Sequence, residues 1–159
     1  DINLWHHGSI MIVIALMMIG ACAGSTTGGI KIDRLVLIVK NLKNEMYRIL
    51  FPNAINPVRV NGKVLSNDMT AKVCAFLLLF ALSLFIGSLA LSLSGINLFD
   101  AIFTSMSCLS NNGLGYGFTG QNFADINPYG KWVLSFLMLV GRLEFSAVMI
   151  LLTKAFWSK

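Results

Sequence analysis

Three long apolar runs, separated by short polar stretches rich in glycine, set the pattern of this chain. Residues 8 to 30 carry no charge, long enough to cross a hydrocarbon core of about 30 Å. Gly8 to Ile19 reads as an apolar helix. The stretch Gly20-Ala21-Cys22-Ala23-Gly24-Ser25-Thr26-Thr27-Gly28-Gly29 then interrupts it with four glycines and three hydroxyls. A glycine inside a helix costs about 1 kcal/mol relative to alanine, so the pattern predicts a break. Helical periodicity resumes at Ile30 and runs toward Tyr47 as an amphipathic, basic segment. Pro52 and Pro57 block helix in a polar connector over 51–72, where the alternation from Pro57 to Leu65 around Asn61-Gly62 predicts a small hairpin. Ser66-Asn67-Asp68 offers a helix N-cap.

Val73 to Ser94 has neither charge nor proline and reads as a transmembrane helix, with Ser88, Ser92 and Ser94 able to bond back to it. Gly95-Ile96-Asn97 turns the chain. Leu98 to Leu109 is amphipathic and too short to span, and Asp100 near its start suits the helix dipole. The polar stretch from Ser107 to Gly117 follows, then an external loop over 120–130. Trp132 to Thr153 is the last apolar run.

Non-helical backbone at membrane depth survives only where it is buried in protein or lines a water-filled cavity. A long apolar helix, a short helix, a glycine-punctuated loop and another long apolar helix form the layout of a pore unit. In such a unit loop carbonyls can replace an ion's hydration shell. Three readings meet the 20–29 break. A phosphate-binding loop lacks its GxxxxGK[ST] pattern and its preceding strand. A close-packed small-xxx-small helix interface and an unwound segment facing a pore or substrate both stay open, with the second favoured.

Composition agrees with a membrane protein: of 159 residues 56% are hydrophobic and 12% charged, against roughly 25% charged in soluble domains. The net charge of +5 does not point to nucleic acid, because the basic residues flank apolar spans. Cys22, Cys74 and Cys108 are far apart and odd in number, so buried free thiols are expected rather than disulfides. His6 and His7 are the sole imidazoles, sit at an interface and have no carboxylate cluster beside them, which argues against an enzyme. Arg142 and Glu144 fall inside the last span, where a charge costs at least about 2.5 kcal/mol. Neighbours two apart on a helix point in different directions, so Arg142 is expected to face an aqueous path and Glu144 to anchor structure.

Lys31, Arg34, Lys40, Lys43, Arg48, Arg59, Lys63 and Lys72 all lie between the first two spans, and residues 95–130 contain no Lys or Arg. The positive-inside rule places 31–72 in the cytoplasm and the loop after Leu109 outside. Lys154 and Lys159 then also fall inside. The chain opens at Asp1 without a methionine or signal-like segment, so its start is expected to be internal to a longer protein.

With these residues in view, the chain resembles the C-terminal part of the Trk/Ktr/HKT potassium-transport superfamily, in its bacterial TrkH/KtrB-type membrane subunits. Gly20 to Lys31 is similar to the family's glycine-rich intramembrane loop, Cys108 to Gly115 to its fourth pore loop, and Gly141-Arg142-Leu143-Glu144 to its final-helix motif. Pro57 to Lys63 is similar to the family's linker. The resemblance covers essentially all 159 residues. It implies an all-α integral membrane fold with a helix–pore-helix–helix repeat of the potassium-channel type, preceded by a glycine-broken transmembrane helix. Residues 1–50 would be the second helix of the third repeat and 51–72 a cytoplasmic connector. Residues 73–159 would be the fourth repeat, with outer helix 73–94, pore helix 98–109, filter loop 110–117 and inner helix 132–157.

The resemblance further implies filter carbonyls at Asn111, Asn112, Gly113, Leu114 and Gly115, matching the channel TVGYG, with K⁺ held at Asn111, Asn112 and Gly113. The gate would comprise Gly20, Gly24, Ser25, Thr26, Thr27, Gly28 and Gly29, with Arg142 as an electrostatic barrier. Partners would be the other three repeats, a second copy in a homodimer, a cytosolic nucleotide-binding regulatory subunit (TrkA/KtrA-like) and the bilayer of the cell's inner membrane. No organic cofactor is implied. Asn112 stands where an apolar residue is common and Leu114 where proline is. Both allow backbone coordination, and Na⁺ stays as an alternative ion. One repeat supplies a quarter of a filter. A second functional reading is the substrate-binding half of a secondary solute transporter, with an anionic solute at the helix end near Gly24 and Arg142 as counter-charge. That reading does not require the short helix or the second glycine loop.

Overall fold

A computed structural model describes residues 2–20, 22, 24–25, 28–51, 59–60, 63–64, 67–120 and 123–143. After a 3₁₀ turn at Ile2–Leu4 come helices α1 (His7–Met18) and α2 (Ile32–Leu50), strands β1 (Arg59–Val60) and β2 (Lys63–Val64), and helix α3 (Asn67–Leu93). Helix α4 (Leu98–Leu109), a second 3₁₀ turn at Gly117–Thr119 and helix α5 (Pro128–Arg142) complete the order.

The break in the first apolar run is real: α1 ends at Met18 and α2 starts at Ile32. His6 caps α1, its Nδ1 accepting the Gly8 amide at 3.3 Å. The face of α2 that meets α3 is mixed, with Arg34, Leu37, Ile38 and Asn41, while Leu35, Val39, Leu42 and Met46 are exposed. The Arg34 guanidinium lies 3.9 Å from the centroid of the Phe76 ring, a cation–π contact that fixes the two helices side by side. The strands pair antiparallel, Arg59 with Val64 and Val60 with Lys63; Asn61 and Gly62 lie outside the described residues.

Met69–Leu93 of α3 is long and apolar enough to cross a membrane, and no other helix among the described residues is. The helix begins ahead of its apolar span, at Asn67, within the stretch that the sequence offers as an N-cap. Ser88 donates to the Phe85 carbonyl at 3.0 Å and Ser94 to that of Ala90 at 3.2 Å. The hydroxyls therefore carry no unmet hydrogen bond into the apolar zone.

Helix α4 is the centre of the molecule. Ala101 and every residue from Phe103 to Leu109 are buried, with α1, α3 and α5 packed against them. Ile10 and Met17 of α1, Phe80 and Leu91 of α3, and Leu134, Leu137 and Val140 of α5 complete the core. The outward faces of α3 (Leu78, Phe85, Ile86) and α5 (Trp132, Phe136) are as apolar as that core. A surface of this kind suits lipid or further protein rather than water.

Candidate functional site

The chain around the break returns on itself. Ile19 and Ile30 form a bridge, with the Gly20 amide 2.6 Å from the Ile30 carbonyl and the Ile30 amide 2.9 Å from that of Met18. Between these anchors, among the described residues, Gly24 and Gly29 have φ of +87° and +90° and the Ser25 amide reaches the Cys22 carbonyl at 3.1 Å. Two half-helices thus meet at a non-helical segment whose ends are tied together. Thr26 and Thr27, predicted parts of this segment, lie outside the described residues.

The second polar stretch starts at the C-terminus of α4. The Asn112 amide bonds the Ser107 carbonyl at 3.0 Å and the Asn111 amide that of Cys108 at 3.1 Å, while Asn111 has φ +57°. This is a Schellman cap with asparagine in the left-handed position. It stops the helix within the glycine-bearing motif and turns the following residues outward. Ser110 adds a bond to the Met106 carbonyl at 2.7 Å and accepts from Asn112 Nδ2 at 3.1 Å. Asn112, Gly113 and Leu114 are exposed, Gly113 has φ +74°, and a Cβ there would meet nothing within 4 Å. Glycine is required at Gly113 by its backbone angle, not by lack of space.

The far end of the loop is held by side chains. The Tyr116 ring lies 5.7 Å from Phe99 and 5.4 Å from Phe103, centroid to centroid. Thr119 Oγ1 is 3.0 Å from Thr104 Oγ1 in the buried interior. It also accepts the Tyr116 amide at 3.2 Å and lies 3.0 Å from the Tyr116 carbonyl. Asn3 Oδ1 accepts the Gly117 amide at 2.8 Å, and Asp100 Oδ2 accepts that of Phe118 at 3.3 Å. A loop capped at one end and knotted at the other presents a short free arc between them.

The break loop, α4 and α5 meet below this arc. A Cβ on Gly28 would sit 2.6 Å from the Leu109 carbonyl oxygen, and one on Gly141 would overlap the same atom. These two glycines therefore bring the break loop and α5 into backbone contact with the end of α4. Arg142 follows Gly141 in the last turn of α5 and is exposed; Glu144 lies outside the described residues. Of the predicted site residues, Gly28 and Asn111 come together at this junction, joined by Gly141 of the final-helix motif. Gly24 and Ser25 belong to the outer part of the break loop.

Sequence reasoning missed Asn3, Thr104, Tyr116 and Thr119, and gave Asp100 only its helix-dipole role. A signal was present in α4, where Thr104, Ser105 and Ser107 sit among apolar residues and are fully buried. Among the described residues no group of three His, Cys, Asp or Glu could hold a metal ion.

The family of TrkH cation transport proteins matches residues 1–159. The Trk system potassium uptake protein TrkH of Salmonella typhimurium is 35% identical over 147 residues, 92% of this chain and 30% of its own. TrkG of Escherichia coli K12 is 32% identical over 157 residues, 99% of this chain and 32% of its own. The crystal structure of the potassium transporter TrkH from Vibrio parahaemolyticus superimposes with a TM-score of 0.87 at 34% identity, covering 96% of this chain and 33% of that one. The chain spans about a third of the length of these relatives.

Proposed function

Because this chain belongs to the TrkH family of cation transport proteins, we propose that it is part of a potassium-translocating membrane subunit, supplying one quarter of a selectivity filter and the gate beneath it. Helices α3, α4 and α5 act as outer, pore and inner helix of one repeat. The carbonyls from Asn111 to Gly115 line the ion path, with K⁺ at Asn111, Asn112 and Gly113. Residues 20–29 form the gate, and Arg142 adds a positive barrier.

Gly113 carries this reading. It sits in left-handed backbone (φ +74°) at the middle of an arc that is exposed in the single repeat yet fixed at both ends. Fixed ends keep carbonyls in place to replace a hydration shell. The exposed arc has the shape of a surface completed by other repeats. The close approach of Gly28 to the end of α4 supports this reading, since a gate under a filter must adjoin it. The +5 net charge, concentrated over 31–72, supports a cytoplasmic position for α2 and the connector, with the arc on the outer side. Three further repeats of the same protein, a second copy and a cytosolic nucleotide-binding regulator complete the proposed assembly in the inner membrane.

The test is K⁺ uptake by a transport-deficient strain expressing the full-length parent protein, with and without Gly113→Ser. A Cβ in left-handed backbone costs roughly 1–2 kcal/mol, so the mutant should lose K⁺ uptake or admit Na⁺. Uptake indifferent to the substitution would favour the solute-transporter reading.

A further inference from the structure

Gly28 and Gly141 are remote in sequence but close on the same two atoms. One is the Leu109 carbonyl oxygen. The other is Asn111 Nδ2, which would lie 3.1 Å from a Cβ on Gly28 and 2.9 Å from a Cβ on Gly141. Nδ2 is shielded from solvent and has no hydrogen-bond acceptor among the described residues. The helix cap does not explain this amide, since a left-handed cap position is filled as well or better by glycine, which has no side chain. A buried donor without an acceptor opposes the conformation that buries it.

We infer that Asn111, through its side chain, is a positioning residue that sets how firmly the break loop seats against the end of α4. With Gly28 in place the amide is denied water and carbonyl alike. Displacement of the loop opens that space and restores a partner. The seated loop is thereby held short of full stability, so gating needs less input than well-packed backbone would demand. The inference rests on the proposed role of 20–29 as gate. It differs from the filter role of Asn111, which belongs to its carbonyl.

The test uses the full-length parent protein in vesicles, with ⁸⁶Rb⁺ flux and the K⁺/Na⁺ permeability ratio both measured. Asn111→Gly keeps the left-handed cap and deletes the amide, so the loop seats more firmly. Flux should fall about fivefold or more, with the permeability ratio within about twofold of the parent. Asn111→Ala removes the same amide while keeping a Cβ and should lower flux in the same direction. Gly28→Ala pushes the loop off α4 and should raise flux. In that background the amide is already released, so Asn111→Gly should change flux by less than about twofold. Unchanged or higher flux in Asn111→Gly and Asn111→Ala would overturn the inference, as would an equal effect in both backgrounds. Gly113→Ser in the same vesicles separates the two levels. If it abolishes selectivity while Asn111→Gly is silent, the filter stands and the inference falls; if it leaves selectivity intact, the underlying reading falls first.

Discussion

The hydroxyls of Thr104 on α4 and Thr119 beyond the loop lie 3.0 Å apart, in residues exposed by 0% and 1%. This contact joins the short central helix to the far end of the loop that the helix itself begins. Inside a bilayer, apolar burial does not drive helices together, and packing with interior hydrogen bonds decides geometry. A single buried hydroxyl pair can therefore determine where the loop returns.

Thr119→Val removes the acceptor of the Tyr116 amide and the partner of Thr104 while nearly keeping shape. The expected loss is about 1–2 kcal/mol, visible as a lower thermal midpoint of the full-length protein in detergent and as higher Na⁺ permeability. Thr119→Ser should behave like the parent. Equal melting and selectivity for Thr119→Val would show that the loop does not depend on this contact.

Gly141→Ala would place a methyl onto the Leu109 carbonyl, so α5 must shift away from α4. Overpacking of this kind costs about 1–3 kcal/mol. Less monodisperse protein should be recovered on size exclusion. Ser135→Ala, at an exposed position on the same helix, serves as the matched control and should leave recovery unchanged.

Arg142→Ala removes a cation from the last turn of α5, one residue from the junction. By Coulomb's law at an effective dielectric of about 20, a unit charge about 10 Å from an ion path would oppose K⁺ by about 1–2 kcal/mol. Basal flux should rise several-fold, and Arg142→Lys should stay near the parent. Flux that ignores the charge would make Arg142 a structural residue.

Removing residues 22 to 25 shortens the break loop while leaving its anchors, the Ile19–Ile30 bridge and the Gly20 amide bond to Ile30, in place. If the loop is the proposed gate, cutting it back in this way should raise basal flux at normal expression. Reduced flux at normal expression would show that the loop conducts or supports rather than obstructs.

Much of the helical layout was legible from hydropathy because the membrane makes length and polarity unusually informative. The amphipathic run Leu98 to Leu109 is a helix with those bounds, and the glycine cluster after Ile19 breaks its helix where four glycines make continuation costly. The TrkH-type resemblance, drawn from three short motifs, is borne out by the family match across residues 1–159. The start of α3 at Asn67 falls on the N-cap candidate Ser66-Asn67-Asp68, ahead of the apolar span that hydropathy alone marks.

By itself the sequence determined local matters: where backbone must satisfy its own hydrogen bonds, where glycine forbids that, and which segments are long enough to cross a membrane. These depend on neighbours within a few residues, and the chain order states them directly. Only the tertiary structure decided that Gly28 and Gly141 meet at one carbonyl, that Thr104 ties down Thr119, and that Asn3 and Asp100 hold the amides of Gly117 and Phe118. Such pairings depend on how three helices close around α4. Composition does not encode that closure, because many hydroxyls and glycines could have met and packing selects the ones that do.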